Sequence, residues 1–299
     1  MSLSCRVIGA LALLTVLAAC GGNEAAAPPP ATPDAPARRI VSLVPSFTET
    51  LFALGAGDRV VGVSAYCNYP EAARALPKAG GYHDPNYEAI IALKPDLVLL
   101  SAFREETAER LARFGISTRG FPHGTLEEVL GSIEALGVLT GESNAAERIM
   151  GEISDRIGSA RAATQGRPRE RVLLVVGRDL SDTAMREIYA AGPQGFLNDL
   201  LTAAGADNAL KDSLAEYPIL TAEGIVALNP DRVFEIVDGP KLSPEAMEAS
   251  LAAWSKLPHR DLHGEGRVHL FTGDYMNIPG PRMSRILEDF MAALHPDLV

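Results

Sequence analysis

Glu88-Ala89-Ile90-Ile91-Ala92-Leu93-Lys94-Pro95-Asp96-Leu97-Val98-Leu99 returns 135 residues later as Glu223-Gly224-Ile225-Val226-Ala227-Leu228-Asn229-Pro230-Asp231-Arg232-Val233-Phe234, with seven of twelve residues identical. Each copy predicts a short helix, a Leu-x-Pro-Asp turn that stops it, and a buried strand, because proline cannot continue a helix and β-branched residues follow. A repeat at this spacing means two related structural units. The same offset pairs Tyr82 with Tyr217, and a weaker echo, Gly55-Ala56-Gly57-Asp58 against Gly205-Ala206-Asp207, precedes each copy at a different offset.

Outward from the repeat, short apolar runs alternate with helical patterns: Arg39 to Leu43, Val60 to Val63, Leu97 to Leu100, Val172 to Val176, Arg232 to Val237 and Val268 to Phe271. That alternation predicts an α/β fold with mainly parallel sheets. Between the copies, Ile149, Met150, Ile153, Ile157 and Ala160 fall on one helical stripe, with Ser143 as the expected cap and Gln165-Gly166-Arg167-Pro168 as the stop. The expected architecture is two similar α/β lobes, residues 39–142 and 166–299, joined by one long helix over 143–165. A single helix between two lobes leaves a cleft beside it, a common place for a ligand.

The N-terminus predicts export. Arg6 precedes the apolar run Val7 to Leu17, too short to span a bilayer permanently but suited to a signal-peptide core. The run ends in Leu17-Ala18-Ala19-Cys20, which resembles a lipobox, so residues 1–19 read as a lipoprotein signal peptide and Cys20 as the lipidated residue. Two acyl chains would anchor stably, at about 0.8 kcal/mol for each buried methylene. Residues 20–38, with Pro28-Pro29-Pro30, Pro33 and Pro36, read as a disordered tether.

With Cys5 in the signal and Cys20 lipidated, Cys67 has no disulfide partner, so a conventional core must hold the fold. From Cys20 onward, 26 basic residues face 38 acidic ones, a balance of −12 that argues against a nucleic-acid partner. Gly-x-Ser-x-Gly, phosphate-loop, His-Glu-x-x-His and Cys-x-x-Cys signatures are absent, so no catalytic residue, resident cofactor or metal is expected. His259 and His263 have a four-residue spacing but no acidic helix partner, and read as surface residues. Asp96 and Asp231 read as turn residues, and Cys67 as a nucleophile with His83 as base is the weakest of the functional readings.

Three segments then point to a family: Arg39-Ile40-Val41-Ser42-Leu43-Val44-Pro45-Ser46-Phe47-Thr48-Glu49, Gly62-Val63-Ser64-Ala65-Tyr66-Cys67-Asn68-Tyr69-Pro70, and the Leu93-Lys94-Pro95-Asp96-Leu97-Val98 block. Together with Pro279-Gly280-Pro281-Arg282, they make the chain resemble the ABC-importer substrate-binding proteins with one helical backbone, the class that handles cobalamin, haem and ferric siderophores. The resemblance runs from about Arg39 to Leu294. It implies a monomeric, lipid-anchored periplasmic receptor whose partners are an ABC permease and its ATPase.

The Pro-Ser-x-Thr-Glu opening and the Val-Ser-x-Tyr-Cys-x-Tyr-Pro segment are most similar to cobalamin-binding members. That similarity implies a corrinoid ligand held by Tyr66, Tyr82 and Tyr217, with Asp274 as a polar contact from the far lobe and Ser46 in the opening motif. Tyrosine suits such a wall, joining an apolar face to a polar hydroxyl. His83, beside Tyr82, could face a cobalt or iron centre, against the plainer reading of an exposed loop histidine. Haem and ferric siderophores are the alternative cargoes, because the only tryptophan is Trp254 and tyrosine stands where the cobalamin binder is richer in tryptophan. In the resembled family one glutamate per lobe at this repeat position engages permease arginines, which assigns docking to Glu88 and Glu223. Helix-dipole capping is the simpler alternative for both.

Overall fold

The computed structural model describes residues 36–180, 185–237, 242–258, 262, 264 and 266–298. Along the N-terminal lobe run β1 (Ile40–Ser42), α1 (Pro45–Ala53), β2 (Val60–Val63), α2 (Glu71–Arg74), α3 (Tyr87–Ala92), β3 (Leu97–Ser101), α4 (Glu105–Ala112), β4 (Ser117–Phe121) and α5 (Leu126–Thr140). Helix α6 (Ser143–Thr164) crosses to β5 (Arg171–Arg178), β6 (Ile188–Ala190), α7 (Phe196–Ala203), β7 (Asp207–Asn208), β8 (Ile219–Leu220), α8 (Ala222–Leu228), β9 (Arg232–Ile236), α9 (Pro244–Trp254), β10 (Val268–Phe271) and α10 (Met283–Leu294).

Among the described residues the strands form two sheets. The first is fully parallel in the order β2-β1-β3-β4. The second runs β10-β9-β5-β6-β8, with β7 also on β5, and is parallel except at β6, which pairs antiparallel with both β5 and β8. The α/β class and the two parallel-sheet lobes are therefore as the sequence implies. The antiparallel β6–β8 pair is an addition to it, and β6 carries Tyr189.

The repeated motif folds the same way twice, for reasons visible atom by atom. Asn86 caps α3 by accepting from the Ala89 amide, and Thr221, 135 residues on, caps α8 by accepting from the Gly224 amide. Each helix ends one residue before proline with a left-handed residue, Lys94 at φ 48° and Asn229 at φ 51°. The strained turn is then clasped. Arg39 donates to the Leu93 and Lys94 carbonyls at 2.6 and 3.0 Å, and Arg171 donates to the Leu228 and Asn229 carbonyls at 2.9 Å each. The Asp96 carboxylate accepts from the Arg38 and Arg39 amides, and Asp231 from the Arg171 amide at 2.7 Å. Both aspartates thus lock the turn to the first strand of their lobe.

Helix α6 has 22 residues and is about 33 Å long. Its stripe Ile149, Ile153, Ile157 and Ala160 is buried, and each isoleucine contributes about 1.5–3 kcal/mol relative to exposure. It packs on α5 so closely that a Cβ at Gly137 would stand 2.6 Å from the Ala146 Cβ. The expected cap at Ser143 is corrected by one residue. Gly141, left-handed at φ 73°, ends α5, Glu142 takes the cap position without capping and pairs with Arg59 at 2.8 Å, and Ser143 is already helical. One hydrophobic cluster includes residues of α1, α5, α6, α7 and α10, so the lobes share a core rather than only a tether.

Candidate functional site

In parallel α/β sheets ligands sit beyond the carboxyl ends of the strands. From those ends here come the Pro45-Ser46 start of α1, the Ser64–Pro70 loop after β2, the Ala102-Phe103-Arg104 turn after β3, and Thr272–Tyr275 after β10. The loop carrying Tyr82 and His83 is tied to the β2 exit by the Ala65 amide donating to the Gly80 carbonyl at 2.8 Å. Tyr217 lies in the segment between β7 and β8.

Tyr66 and Tyr217 stand 61% and 52% exposed, so both rings are open to a partner. Tyr82 is half-buried, backed by the core, with its face under Arg104 at 5.5 Å and its edge on His83 at 4.8 Å. Sequence reasoning missed Phe103. It is 85% exposed and held at φ 65°, a conformation that a bulky L-residue adopts only under strain and that clusters at ligand sites. Nothing in the Ser101-Ala102-Phe103-Arg104 pattern signals this. Phe103, Arg104, His83 and Tyr87 line a hollow of about 390 Å³.

His83 is exposed, and Arg104 donates to its Nδ1. That contact occupies Nδ1 and leaves Nε2 as the ring nitrogen open to another partner. Partial burial, and then the Glu216 carboxylate beside it, raises the Tyr217 phenol above the ordinary range.

Ser46 does not join the exposed wall. It is buried beside Gly280, and its hydroxyl has no hydrogen-bond partner among the described residues. Asp274 is at the surface but paired: Arg282 Nη1 donates to its Oδ1 at 2.7 Å. The same guanidinium grips Glu49 with two bonds of 2.8 and 2.6 Å, across 233 residues of sequence. Burial lifts the Glu49 carboxyl above its usual range despite this partner, while the bonds to Glu49 and Asp274 outweigh burial and raise Arg282. Sequence reasoning counted Arg282 only as part of a motif.

Glu88 and Glu223 occupy the same place, the second residue of α3 and of α8, and both are exposed. A bond from its own backbone amide and one from the Thr221 hydroxyl hold the Glu223 carboxyl below the usual range. Cys67 is buried with Sγ 3.1 Å from Thr48 Oγ1 and 3.2 Å from Ser64 Oγ, remote from service as a surface nucleophile. Cys20, His259 and His263 lie outside the described residues. Among the described residues no helix is long and apolar enough to cross a membrane, and no group of three or more His, Cys, Asp or Glu is placed to hold a metal ion.

The profile of the family described as "Periplasmic binding protein" matches residues 40–258. A "Cobalamin-binding protein" of Halobacterium salinarum is 32% identical over 88% of this chain and 71% of its own length. The "Uncharacterized ABC transporter substrate-binding lipoprotein YvrC" of Bacillus subtilis is 32% identical over 87% of this chain and 81% of its own. The solved vitamin B12-binding protein of Vibrio cholerae superposes with a TM-score of 0.72 at 24% identity, over 88% of this chain and 98% of that one. A haem-binding protein of Pseudomonas aeruginosa does so with 0.74 at 25%, over 87% and 93%. The family profile spans most of the folded chain and the relatives span nearly all of it: the chain belongs to the periplasmic binding protein family.

Proposed function

We propose that this chain is the lipid-anchored extracytoplasmic substrate-binding protein of an ABC importer, capturing a corrinoid, cobalamin first, between its lobes and delivering it to the permease. The observation that carries the reading is the set of exposed rings Tyr66 and Phe103 with half-buried Tyr82 in the loops that follow β2 and β3, joined by exposed Tyr217 before β8 and by Asp274 after β10. A corrin offers broad apolar faces edged with amides. The rings supply contact area, and the Asp274 carboxylate accepts an amide hydrogen bond. The relative named for cobalamin, at 32% identity, supports the same cargo. Capture and delivery are the whole mechanism, with no bond made or broken.

Haem is the second reading, favoured by the haem-binding neighbour at 25% identity. Calorimetric titration with cobalamin, haem and a ferric catecholate tests the cargo. Cobalamin is expected to bind tightest, and haem binding at least as tightly would overturn the assignment while leaving the receptor role intact. Anchoring through Cys20 is tested by mass spectrometry of the processed N-terminus, where Cys20→Ala should abolish acylation. Docking of the permease, which works with its ATPase, is assigned to the Glu88 and Glu223 faces, with a single receptor molecule contributing both.

A further inference from the structure

We propose that Arg282 is a positioning residue through which the lobe-to-lobe angle and the aim of the cleft carboxylate Asp274 are set together. Four groups meet on its guanidinium. Glu49, from α1 of the N-terminal lobe, takes Nε and Nη2 in a two-point fork, and Asp274, at the exit of β10, takes Nη1. The Tyr69 ring, from the loop after β2, lies 3.8 Å from the guanidinium carbon, and the Tyr275 ring lies at 5.5 Å. Two of these groups belong to each lobe.

The chemistry explains why one side chain can do both tasks. A planar guanidinium offers N–H bonds in fixed directions and flat faces, so the fork to Glu49 dictates where Nη1 points. The pair is nearly closed to water, with side-chain exposures of 9% for Arg282 and 4% for Glu49, whereas Asp274 is 59% exposed. Rotation of one lobe against the other moves Glu49, turns the guanidinium and swings Asp274. Asp274 spends one oxygen on Arg282 and presents the other toward solvent. Arg282 itself never touches ligand.

The ligand arm of the test rests on the corrinoid reading, and a ligand-free arm keeps the two separable. Cobalamin affinity is measured for the wild type, Asp274→Asn, Arg282→Lys and the double variant. An ammonium keeps the charge but cannot form the fork, so Arg282→Lys should weaken binding roughly tenfold. Adding Asp274→Asn to it should cost almost nothing more, although Asp274→Asn alone weakens the wild type by a similar factor. In parallel, the full chain with Cys5→Ser and Cys20→Ser is spin-labelled at Glu88→Cys and Glu223→Cys, one label per lobe, Cys67 being buried. The distance distribution between labels should broaden when Arg282→Lys is added. Where Arg282→Lys does not fold, the paired variant Glu49→Met/Arg282→Met, which leaves no buried charge unpaired, takes its place in both arms. Additive affinity losses, or an unchanged distance distribution, overturn the proposal. Should the wild type bind no cobalamin, the cargo reading falls and the distance distribution alone decides the role of Arg282.

Discussion

The two lobes repeat one helix-turn-strand motif, yet at equivalent places they solve different problems. Position 100 in β3 is a buried leucine, and its counterpart 135 residues on, position 235 in β9, is a buried glutamate. Glu235 is held by Arg178 at 2.6 Å, with the Trp254 indole donating to it at 2.6 Å, and both charged side chains are 1% exposed. At the cleft the asymmetry is reversed in character. In the proposed site the N-terminal lobe would contribute three rings, Tyr66, Tyr82 and Phe103, and the C-terminal lobe one ring, Tyr217, plus the Asp274–Arg282 pair. What repeats is the scaffold and its two exposed glutamates. What differs is what a ligand would meet.

The largest expected effect tests the core side of this comparison. Glu235→Ala leaves the Arg178 charge buried without its partner and should lower stability by about 3–5 kcal/mol. Replacing both partners, Arg178→Met with Glu235→Leu, should restore most of that loss. Leu100→Ala removes only packing and should cost about 2–4 kcal/mol with no such rescue. Urea unfolding of the four chains measures all of this, and a double variant no better than Glu235→Ala would show that the pair is not what holds that end of the sheet.

Next come the rings. Tyr82→Ala and Tyr217→Ala should each weaken corrinoid binding by about 1–3 kcal/mol, roughly ten- to a hundredfold, whereas Tyr189→Ala, in strand β6, should cost less. Equal losses at all three positions would break the distinction between cleft and sheet. Phe103 gives a smaller and two-signed effect. Phe103→Gly removes a left-handed bulky residue and should raise stability by about 0.5–1 kcal/mol while lowering ligand affinity. Stability falling in that variant would mean that the ring packs in the free protein.

The smallest expected effect on affinity is at the repeated glutamates. Charge reversal at both, Glu88→Lys with Glu223→Lys, should leave ligand affinity nearly unchanged and impair uptake by cells, since repulsion arises only against basic permease residues. Uptake at the wild-type rate would return both residues to simple helix capping.

Much of this division was legible in the chain. The helix-turn-strand motif is local, so its caps, prolines and β-branched residues identify both copies, and the stripe along α6 reads directly from spacing. Strand β4, Ser117–Phe121, escaped because it is a polar run at a sheet edge, where alternation and burial are weak signals. Strands β7 and β8 have two residues each and no pattern to read. The Glu49–Arg282 contact joins positions 233 residues apart, and no local rule connects them. Phe103 was missed because its message lies in a backbone angle rather than in a residue pattern. Of the clasping arginines, Arg39 was visible only as the first residue of a strand run, and Arg171 fell just outside one.

The central claim is that ligand is held between the carboxyl ends of the two sheets, and amide hydrogen exchange with and without cobalamin tests it most directly. Protection is expected in both lobes at once, in the loops around Tyr66, Tyr82 and Phe103 and in those around Tyr217 and Asp274, with little change along α3 and α8. Protection confined to one lobe, or to the groove of about 450 Å³ between α6 and α10 lined by Ala160, Leu287 and Met291, would contradict it.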